Sequence, residues 1–386
     1  MERIAGNYVA GSLAGSAYQA YIPNPLPPEP PLVFDTTLVA QLERANQSLG
    51  RLDGMTRMLP DPELFLYQYV RKEALLSSQI EGTQSSLSDL MLFELHELPS
   101  VPIDDVEEVS NYVAALNHGL ERLRGGFPLS LRLLSEIHEI LLRGGRGANK
   151  TPGEFRRTQN WIGGRTPATA SFVPPPPEQL QACLDAFEKF LHEPAETMPP
   201  LIKAALAHLQ FETIHPFNDG NGRLGRLLIA LILCVENVLA EPSLYLSLYF
   251  KTRRTEYYQQ SDAVRKTGDW EAWLAFFFAG VEQTSNQAVE TARRILNLFE
   301  ADRAKFKKLG RKAGNASRVF EQFTRRPLLS APQLSIDLAL PTPTIRRALD
   351  VLSELKLINE ITGQRRNRIW LYQDYYAILS EGAGPL

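Results

Sequence analysis

Residues 215–226 read His215-Pro216-Phe217-Asn218-Asp219-Gly220-Asn221-Gly222-Arg223-Leu224-Gly225-Arg226. They lie between two strongly apolar stretches, Leu201 to Phe211 and Leu227 to Val235, which read as helices able to hold the segment rigidly. Two glycines around an asparagine let the backbone approach an anion closely. A helix beginning near Arg223 points its free N–H groups and the positive end of its dipole at the same place. The form is that of a phosphate cradle. Arg223 and Arg226, spaced i to i+3, project from one face of the first turn and can clamp further phosphate oxygens. Asp219 supplies a hard oxygen ligand for a divalent cation bridging those oxygens. His215, with an ordinary pKa near ~6.5, is the one group here suited to accept a proton at neutral pH.

Working outward, Ser130 to Leu142, Pro177 to His192 and Pro199 to Ile214 all carry 3.6-residue periodicity and are predicted helices. Between the first two, Gly144 to Pro177 is too rich in Gly, Pro and Thr for a helix; Arg156 to Ile162 is expected to form a short hairpin turning at Gly163-Gly164. Upstream, Leu38, Leu42, Ala45, Leu49 and Leu52 form one helical stripe and Leu64, Tyr67, Val70, Ala74 and Leu75 a second, separated by Pro60 and Pro62. A further helix with Val109, Val113, Leu116, Leu120 and Leu123 stops at Gly125-Gly126. Residues 22–31, IPNPLPPEPP, hold six prolines in ten positions and predict an extended arm, because each proline fixes φ and removes a donor. Downstream of Gly268 a helix with Trp270, Trp273 and Phe276 to Phe278 is expected, then a long helix to about Phe306 and a basic linker.

The last section changes rhythm. A short helix with Leu334, Ile336 and Leu338, a turn at Pro341-Thr342-Pro343-Thr344, a helix lined by Ile345, Leu349, Leu352 and Leu355, and two apolar segments around Gly363 to Asn367 are the parts of a winged helix-turn-helix. From Lys312 to Tyr372 there are ten Lys/Arg against five Asp/Glu, a local +5 in a chain whose net charge is -3. That balance excludes a uniformly basic nucleic-acid coat but leaves room for a local basic face. Cys183 and Cys234 are too few for a disulfide framework or a four-ligand zinc site, and a reducing cytoplasm is expected. No basic n-region precedes an apolar run, and the longest such run, Leu227 to Val235, has nine residues against the ~20 a membrane span requires. No membrane partner is expected. His138-Glu139 lacks a second His four residues after the first, so a zincin site is excluded, and no P-loop or G-x-G-x-x-G is present.

The segment HPFNDGNGRLGR matches the motif H-x-F-x-[DE]-G-N-G-R-x-x-R at every specified position, and the chain thereby resembles the Fic family of AMP-transferases. The resemblance implies transfer of AMP from ATP to a protein Ser, Thr or Tyr hydroxyl. It makes His215 the general base, Asp219 the Mg2+ ligand, and Gly220, Asn221 and Gly222 an anion hole. Arg223 and Arg226 would hold the outer phosphates, with Leu224 and Gly225 in the same nucleotide-binding run and Phe217 pointing into the core. Upstream, Ser77-Ser78-Gln79-Ile80-Glu81-Gly82 fits the family's inhibitory pattern [ST]-x-x-x-E-[GN]: Glu81 would pair with Arg226 and obstruct the γ-phosphate, Ser77 would steady the carboxylate or the helix turn, and Gly82 would end the helix. The irregular stretch resembles the flap that pairs with the target, with Asn160, Trp161, Ile162 and Gly163 as its candidates. Arg254-x-x-Tyr257-Tyr258 resembles the segment closing the adenine pocket, either Tyr facing the base.

The implied fold is mainly α: an extended arm (1–34), an N-terminal helical domain with an inhibitory helix (35–125), a Fic-type core with a short β-hairpin flap (126–306), a linker (307–314) and a winged helix (315–376). The implied partners are a target protein, the chain itself through self-modification, and a second copy in a homodimer. Two other readings stay open. Glu81 could orient a water that removes AMP at the same site, or the chain could be a DNA-binding regulator whose site senses nucleotide, reading DNA with Arg346, Arg347, Arg365, Arg366 and Arg368.

Overall fold

The computed structural model of the chain describes residues 3–58, 62–95, 99–145, 147–307, 313–364 and 368–385. Among these the protein is mainly helical, with two small antiparallel sheets. The chain opens with a hairpin in which β1 (Gly6–Leu13) pairs with β2 (Ser16–Pro23). This corrects the expectation of an extended arm over residues 1–34, which holds only after Pro23. The strand signal lies in NYVAGSL and SAYQAYI, joined by a two-residue Ala14-Gly15 turn with φ of 50° and 81°, the positive-φ turn that suits strand twist. Tyr21 N–H donates to the Val173 carbonyl at 2.9 Å, so the hairpin lies beside the irregular stretch of the core.

Helices α1 (Thr36–Met58), α2 (Pro62–Ile80), α3 (Leu87–Glu94), α4 (Ile103–Arg124) and α5 (Leu131–Leu141) follow. The sequence periodicity did not reveal α3, which is too short to carry a stripe. It is fixed by a capping box: Asp89 N–H donates to Ser86 Oγ at 3.2 Å, and Ser86 N–H donates to the Asp89 carboxylate at 2.9 Å. Next come α6 (Pro177–Leu191), α7 (Pro200–Ile214), α8 (Asn221–Val235), α9 (Ser247–Thr252), α10 (Arg254–Thr267) and α11 (Trp270–Phe306). Helix α7 is buried on nearly every side, as its apolar and small residues all round require, and forms the centre of the molecule. Gly225 lets α8 lie close against it: a Cβ there would sit 2.8 Å from Glu212 Oε1 and 3.3 Å from Phe211.

The two helices expected after Gly268 are one, α11, of 37 residues and about 55 Å. No proline interrupts it, and its Gly280 is used for close packing, since a Cβ would meet the Tyr249 ring at 2.8 Å. Helix α1 packs along α11, and Tyr69 of α2 donates its hydroxyl to the Ala288 carbonyl at 2.8 Å.

The C-terminal section comprises α12 (Ala313–Arg325), β3 (Leu328–Ser330), α13 (Ala331–Leu338), α14 (Thr342–Glu354), β4 (Asn359–Glu360), β5 (Ile369–Leu371) and α15 (Gln373–Ser380), its sheet ordered β3-β5-β4. Residues 308–312 of the expected linker, and Arg365 and Arg366, lie outside the described residues. Helix α12 already begins at Ala313, and α15 carries the section to Ser380 rather than 376. Of the apolar residues of α13, Leu334 is buried and Ile336 faces solvent. The section is packed onto α11: Tyr372 donates its hydroxyl to Asp302, and the rings of Phe299, Phe320, Tyr372 and Tyr375 cluster.

Candidate active site

Helix α7 ends at His215 in the left-handed region, φ 50° and ψ 59°, and α8 starts after Gly220 at φ 76°. A left-handed non-glycine residue costs about 1–3 kcal/mol and persists only where its surroundings hold it. Three side chains do so here. Asn221 grips Phe217 twice, Oδ1 accepting from its N–H and Nδ2 donating to its carbonyl, both at 2.9 Å. Asn160 Nδ2 donates to the Phe217 carbonyl at 2.9 Å and to that of His215 at 3.4 Å. Buried Arg156 donates to the carbonyls of His215 at 2.9 Å, Thr158 at 3.3 Å, Ile214 at 3.5 Å and Pro175, and its own N–H to that of Pro216 at 2.9 Å. Phe217 is fully buried and stacks on His138 with centroids 3.7 Å apart.

His215 Nδ1 lies 3.3 Å from the Glu212 carbonyl, an arrangement that places the proton on Nδ1 and leaves Nε2 with a lone pair. Burial pushes its pKa down to about 4, with Arg156 adding to the effect, so the ring is neutral at pH 7. Asp219 is half-exposed; its Oδ1 accepts from Gly220 N–H at 2.6 Å and from Arg223 at 3.5 Å, and no hydrogen bond to Oδ2 is present among the described residues. Arg223 is buried and donates to Glu108 Oε2 at 3.1 Å. Arg226 is buried too and is gripped from the end of α2: Nε donates to Ser77 Oγ at 2.9 Å, Nη2 to the Ser77 carbonyl at 3.0 Å and to Glu81 Oε1 at 2.7 Å. Burial opposes the Arg226 charge, but Glu81 outweighs it and holds the guanidinium above its ordinary pKa. The same pairing outweighs desolvation at Glu81 and holds that carboxyl below its ordinary range. Burial instead raises Glu212 to about 7.

Glu81 lies directly over the start of α8. A Cβ on Gly222 would stand 2.1 Å from Glu81 Oε1, so only glycine leaves room for the carboxylate. The N–H groups of the first turn of α8 have no carbonyl one turn earlier and form an anion-binding end. Gly82, at φ 102°, follows the end of α2.

His215, Asp219, Gly220, Asn221, Gly222, Arg223 and Arg226 are thus brought together with Ser77, Glu81 and Gly82. The contacts show what several of these side chains do. The Leu224 side chain is fully buried and its N–H donates to the Gly220 carbonyl at 3.0 Å, which turns it away from a phosphate, while Gly225 serves helix packing. Asn221 spends its side chain on the loop. Ser77 binds Arg226 rather than the Glu81 carboxylate. Tyr257 is core, its hydroxyl 2.9 Å from His208 Nε2, and Tyr258 is the exposed one, electrostatically coupled to Glu81 and Arg226. The expected hairpin at Ile162 is reduced to a single bridge with Phe172, the chain reversing through Gly163, Gly164 and a short 3-10 turn, Pro167–Thr169. Sequence reasoning did not single out Arg156, Glu108 or His138 for the site. Arg156 binds carbonyls that no motif announces; Glu108 lies over a hundred positions from Arg223, and His138 was weighed only as a zinc ligand.

Among the described residues no cluster of three or more His, Cys, Asp or Glu forms a metal site. One carboxylate with a free oxygen, beside an anion-binding helix end, does fit the way Mg2+ binds, through one or two carboxylates with substrate phosphates and water.

Residues 39–121 match the Fic/DOC family N-terminal domain and residues 128–233 the Fic/DOC family domain. Protein adenylyltransferase Fic of Culex quinquefasciatus is 35% identical over 159 residues, 40% of this chain and 30% of that protein. The protein of the same name from Drosophila grimshawi is 36% identical over 132 residues, 34% of this chain and 26% of its own. The chain therefore spans less than a third of the length of these relatives. The crystal structure of a Fic family protein from Desulfovibrio desulfuricans G20 aligns with a TM-score of 0.58 at 20% identity, over 89% of this chain and 98% of that one. A Fic domain containing signaling protein from Bacteroides thetaiotaomicron aligns at 0.51 and 19%, over 66% and 97%. With a Fic/DOC N-terminal domain and a Fic/DOC domain matched in order and the fold shared, this chain belongs to the Fic/DOC family.

Proposed function

We propose that the chain is an autoinhibited protein adenylyltransferase, moving AMP from ATP to a Ser, Thr or Tyr hydroxyl of a target protein. The observation that carries this reading is the Glu81–Arg226 pair lying over Gly222, where a nucleotide phosphate would meet the start of α8. His215, neutral and with Nε2 open, takes the proton of the acceptor hydroxyl. The hydroxyl oxygen bonds to the α-phosphorus, the bond to the bridging oxygen breaks, and pyrophosphate leaves. The first-turn N–H groups of α8 and the arginines stabilise the charge that develops on the phosphoryl oxygens. Mg2+, held through Asp219, would supply charge neutralisation across the phosphates. With Glu81 in place, its carboxylate takes Arg226 Nη2 and fills the space over Gly222 that a γ-phosphate would need, and the site is closed. Tyr258 is the tyrosine offered to the adenine base. The name of the relatives, protein adenylyltransferase, supports ATP as donor.

The test is incubation of wild type, Glu81→Gly and Glu81→Gly/His215→Ala with ATP and Mg2+, followed by intact mass spectrometry for an adenylyl group on the chain or an added target. An adduct in Glu81→Gly that is missing from the double variant supports transfer, inhibition and the base together. Absence of any adduct, with hydrolysis of AMP from a modified substrate, would turn the reading to AMP removal.

The order of α12, β3, α13, α14, β4 and β5 supports a winged helix-turn-helix, and Arg346 and Arg347 are exposed on α14. This favours DNA as a second partner, tested by a salt-dependent gel shift that Arg346→Ala/Arg347→Ala must abolish. Two free cysteines fit a cytoplasmic setting, and no helix among the described residues is long and apolar enough to cross a membrane.

A further inference from the structure

His138 lies on α5, outside the motif, and is fully buried. Its two ring nitrogens face opposite partners. Gly153 N–H donates to Nδ1 at 2.9 Å, and Nε2 lies 2.9 Å from the Asp219 carbonyl oxygen. An N–H on one side requires a lone pair on Nδ1, and a carbonyl on the other requires a proton on Nε2. The partners therefore select one tautomer.

From this geometry we propose that His138 is a positioning residue that fixes the Asp219–Gly220 peptide and thereby aims the Asp219 carboxylate; the inference rests on the reading of Asp219 as the Mg2+ ligand. The peptide is pinned at both ends. Its carbonyl accepts from His138 Nε2, and its N–H, that of Gly220, donates to Asp219 Oδ1 at 2.6 Å. With Oδ1 tied to the backbone, Oδ2 is the oxygen left to reach a cation. The ring cannot tilt, because it stacks on Phe217 with an interplanar angle of 11°. Gly153 must be glycine for the contact to form: it has φ 81°, and a Cβ would meet Glu139 at 3.2 Å and the Ser135 carbonyl at 3.3 Å. Gly220 is equally tight, a Cβ there lying 3.2 Å from Leu142 and 3.4 Å from His138 Nε2. One ring thus joins the loop after α5, the Phe217 anchor and the metal-ligand peptide.

The test uses three full-length proteins: Glu81→Gly as parent, and the parent carrying His138→Phe or His138→Gln. Phe keeps the stacking and loses both hydrogen bonds; Gln can donate to one partner and accept from the other. The first readout is the 15N imidazole NMR of the parent at pH 7, with the His138 signals identified by their loss in the variants. It should report a single tautomer with the proton on Nε2. The second readout is ATP affinity in EDTA and in Mg2+. His138→Phe should keep its EDTA affinity within ~3-fold and lose the gain from Mg2+ by ~10-fold or more, the usual effect of removing a hydrogen-bond partner of a metal ligand; His138→Gln should restore most of it. A proton on Nδ1, or a full Mg2+ gain in His138→Phe, would overturn the proposal. So would equal losses in EDTA and Mg2+ in both variants with lowered melting temperatures, which is plain loss of packing. A parent that binds ATP equally with and without Mg2+ would instead remove the metal role of Asp219 and this inference with it.

Discussion

Replacing Glu81 by Gly removes the carboxylate that lies 2.7 Å from Arg226 and covers the start of α8. A hydrogen bond to a charged group contributes about 1.5–3 kcal/mol net. The Glu81 side chain is 38% exposed, so solvent screens it and the lower end, about 1.5–2 kcal/mol, is the better figure. If a phosphate must displace Glu81 to bind, removing it raises the competent fraction by about 10–30-fold, at 1.4 kcal/mol for each factor of ten. The expected result is a rise of that size in adenylyl incorporation at subsaturating ATP, followed by time-resolved intact mass, and a matching gain in ATP affinity. Arg226 meanwhile keeps its two bonds to Ser77 but loses its counter-charge inside the protein. Glu81→Gly should therefore lose about 1–3 kcal/mol of stability, and bound ATP should restore it by supplying the missing anion. Glu81→Gln, which keeps an acceptor but no charge, should fall between. Less than a twofold change in both incorporation and ATP affinity, or a Gln variant more active than the Gly variant, would refute the displacement argument.

Other outcomes follow from the same geometry. The pKa of His215 is lowered to about 4 by burial, so transfer by Glu81→Gly should be insensitive to pH down to about 5.5. An acid limb centred near 6.5 in rate-against-pH profiles would contradict the neutral base. His138 at about 4, His208 at about 3 and His215 are all depressed, so the unfolded chain binds more protons below pH ~6.5 and stability should fall as pH drops through that range; denaturant titrations at stepped pH check the sign. Tyr258→Ala should weaken ATP binding without changing stability, whereas Tyr257→Phe should cost ~1 kcal/mol of stability and leave ATP affinity alone, because only Tyr257 bonds His208 inside the core. Arg156→Lys should lose several kcal/mol of stability and most transfer activity, since an ammonium cannot reach the carbonyls that a guanidinium spans; near-wild-type melting would count against that role.

Much of this molecule was legible in local patterns. The apolar stripes announced α5, α6 and α7 because amphipathic or fully buried helices are written in consecutive residues. The His215 to Arg226 segment was legible because its chemistry occupies one loop and one helical turn, so backbone and side chains come together without help from distant residues. The N-terminal hairpin was hidden by the neighbouring prolines, and α3 by its brevity. The run of Tyr257 and Tyr258 could not be divided from sequence, since adjacent residues on a helix face different directions and only the position of α10 against α7 decides which is core.

The sequence by itself determined the mainly helical fold, the helix start with free N–H groups and the family, since each depends on spacing along the chain. The Glu81–Arg226 pair, 145 positions apart, was expected from the family resemblance and not from spacing; tertiary structure alone decided that Arg223 finds Glu108, that Arg156 ties down the strained turn at His215, and that His138 faces Asp219. The physical reason is common to all four. A buried charge or ring nitrogen must find a partner, and which partner it finds is fixed by how the helices pack.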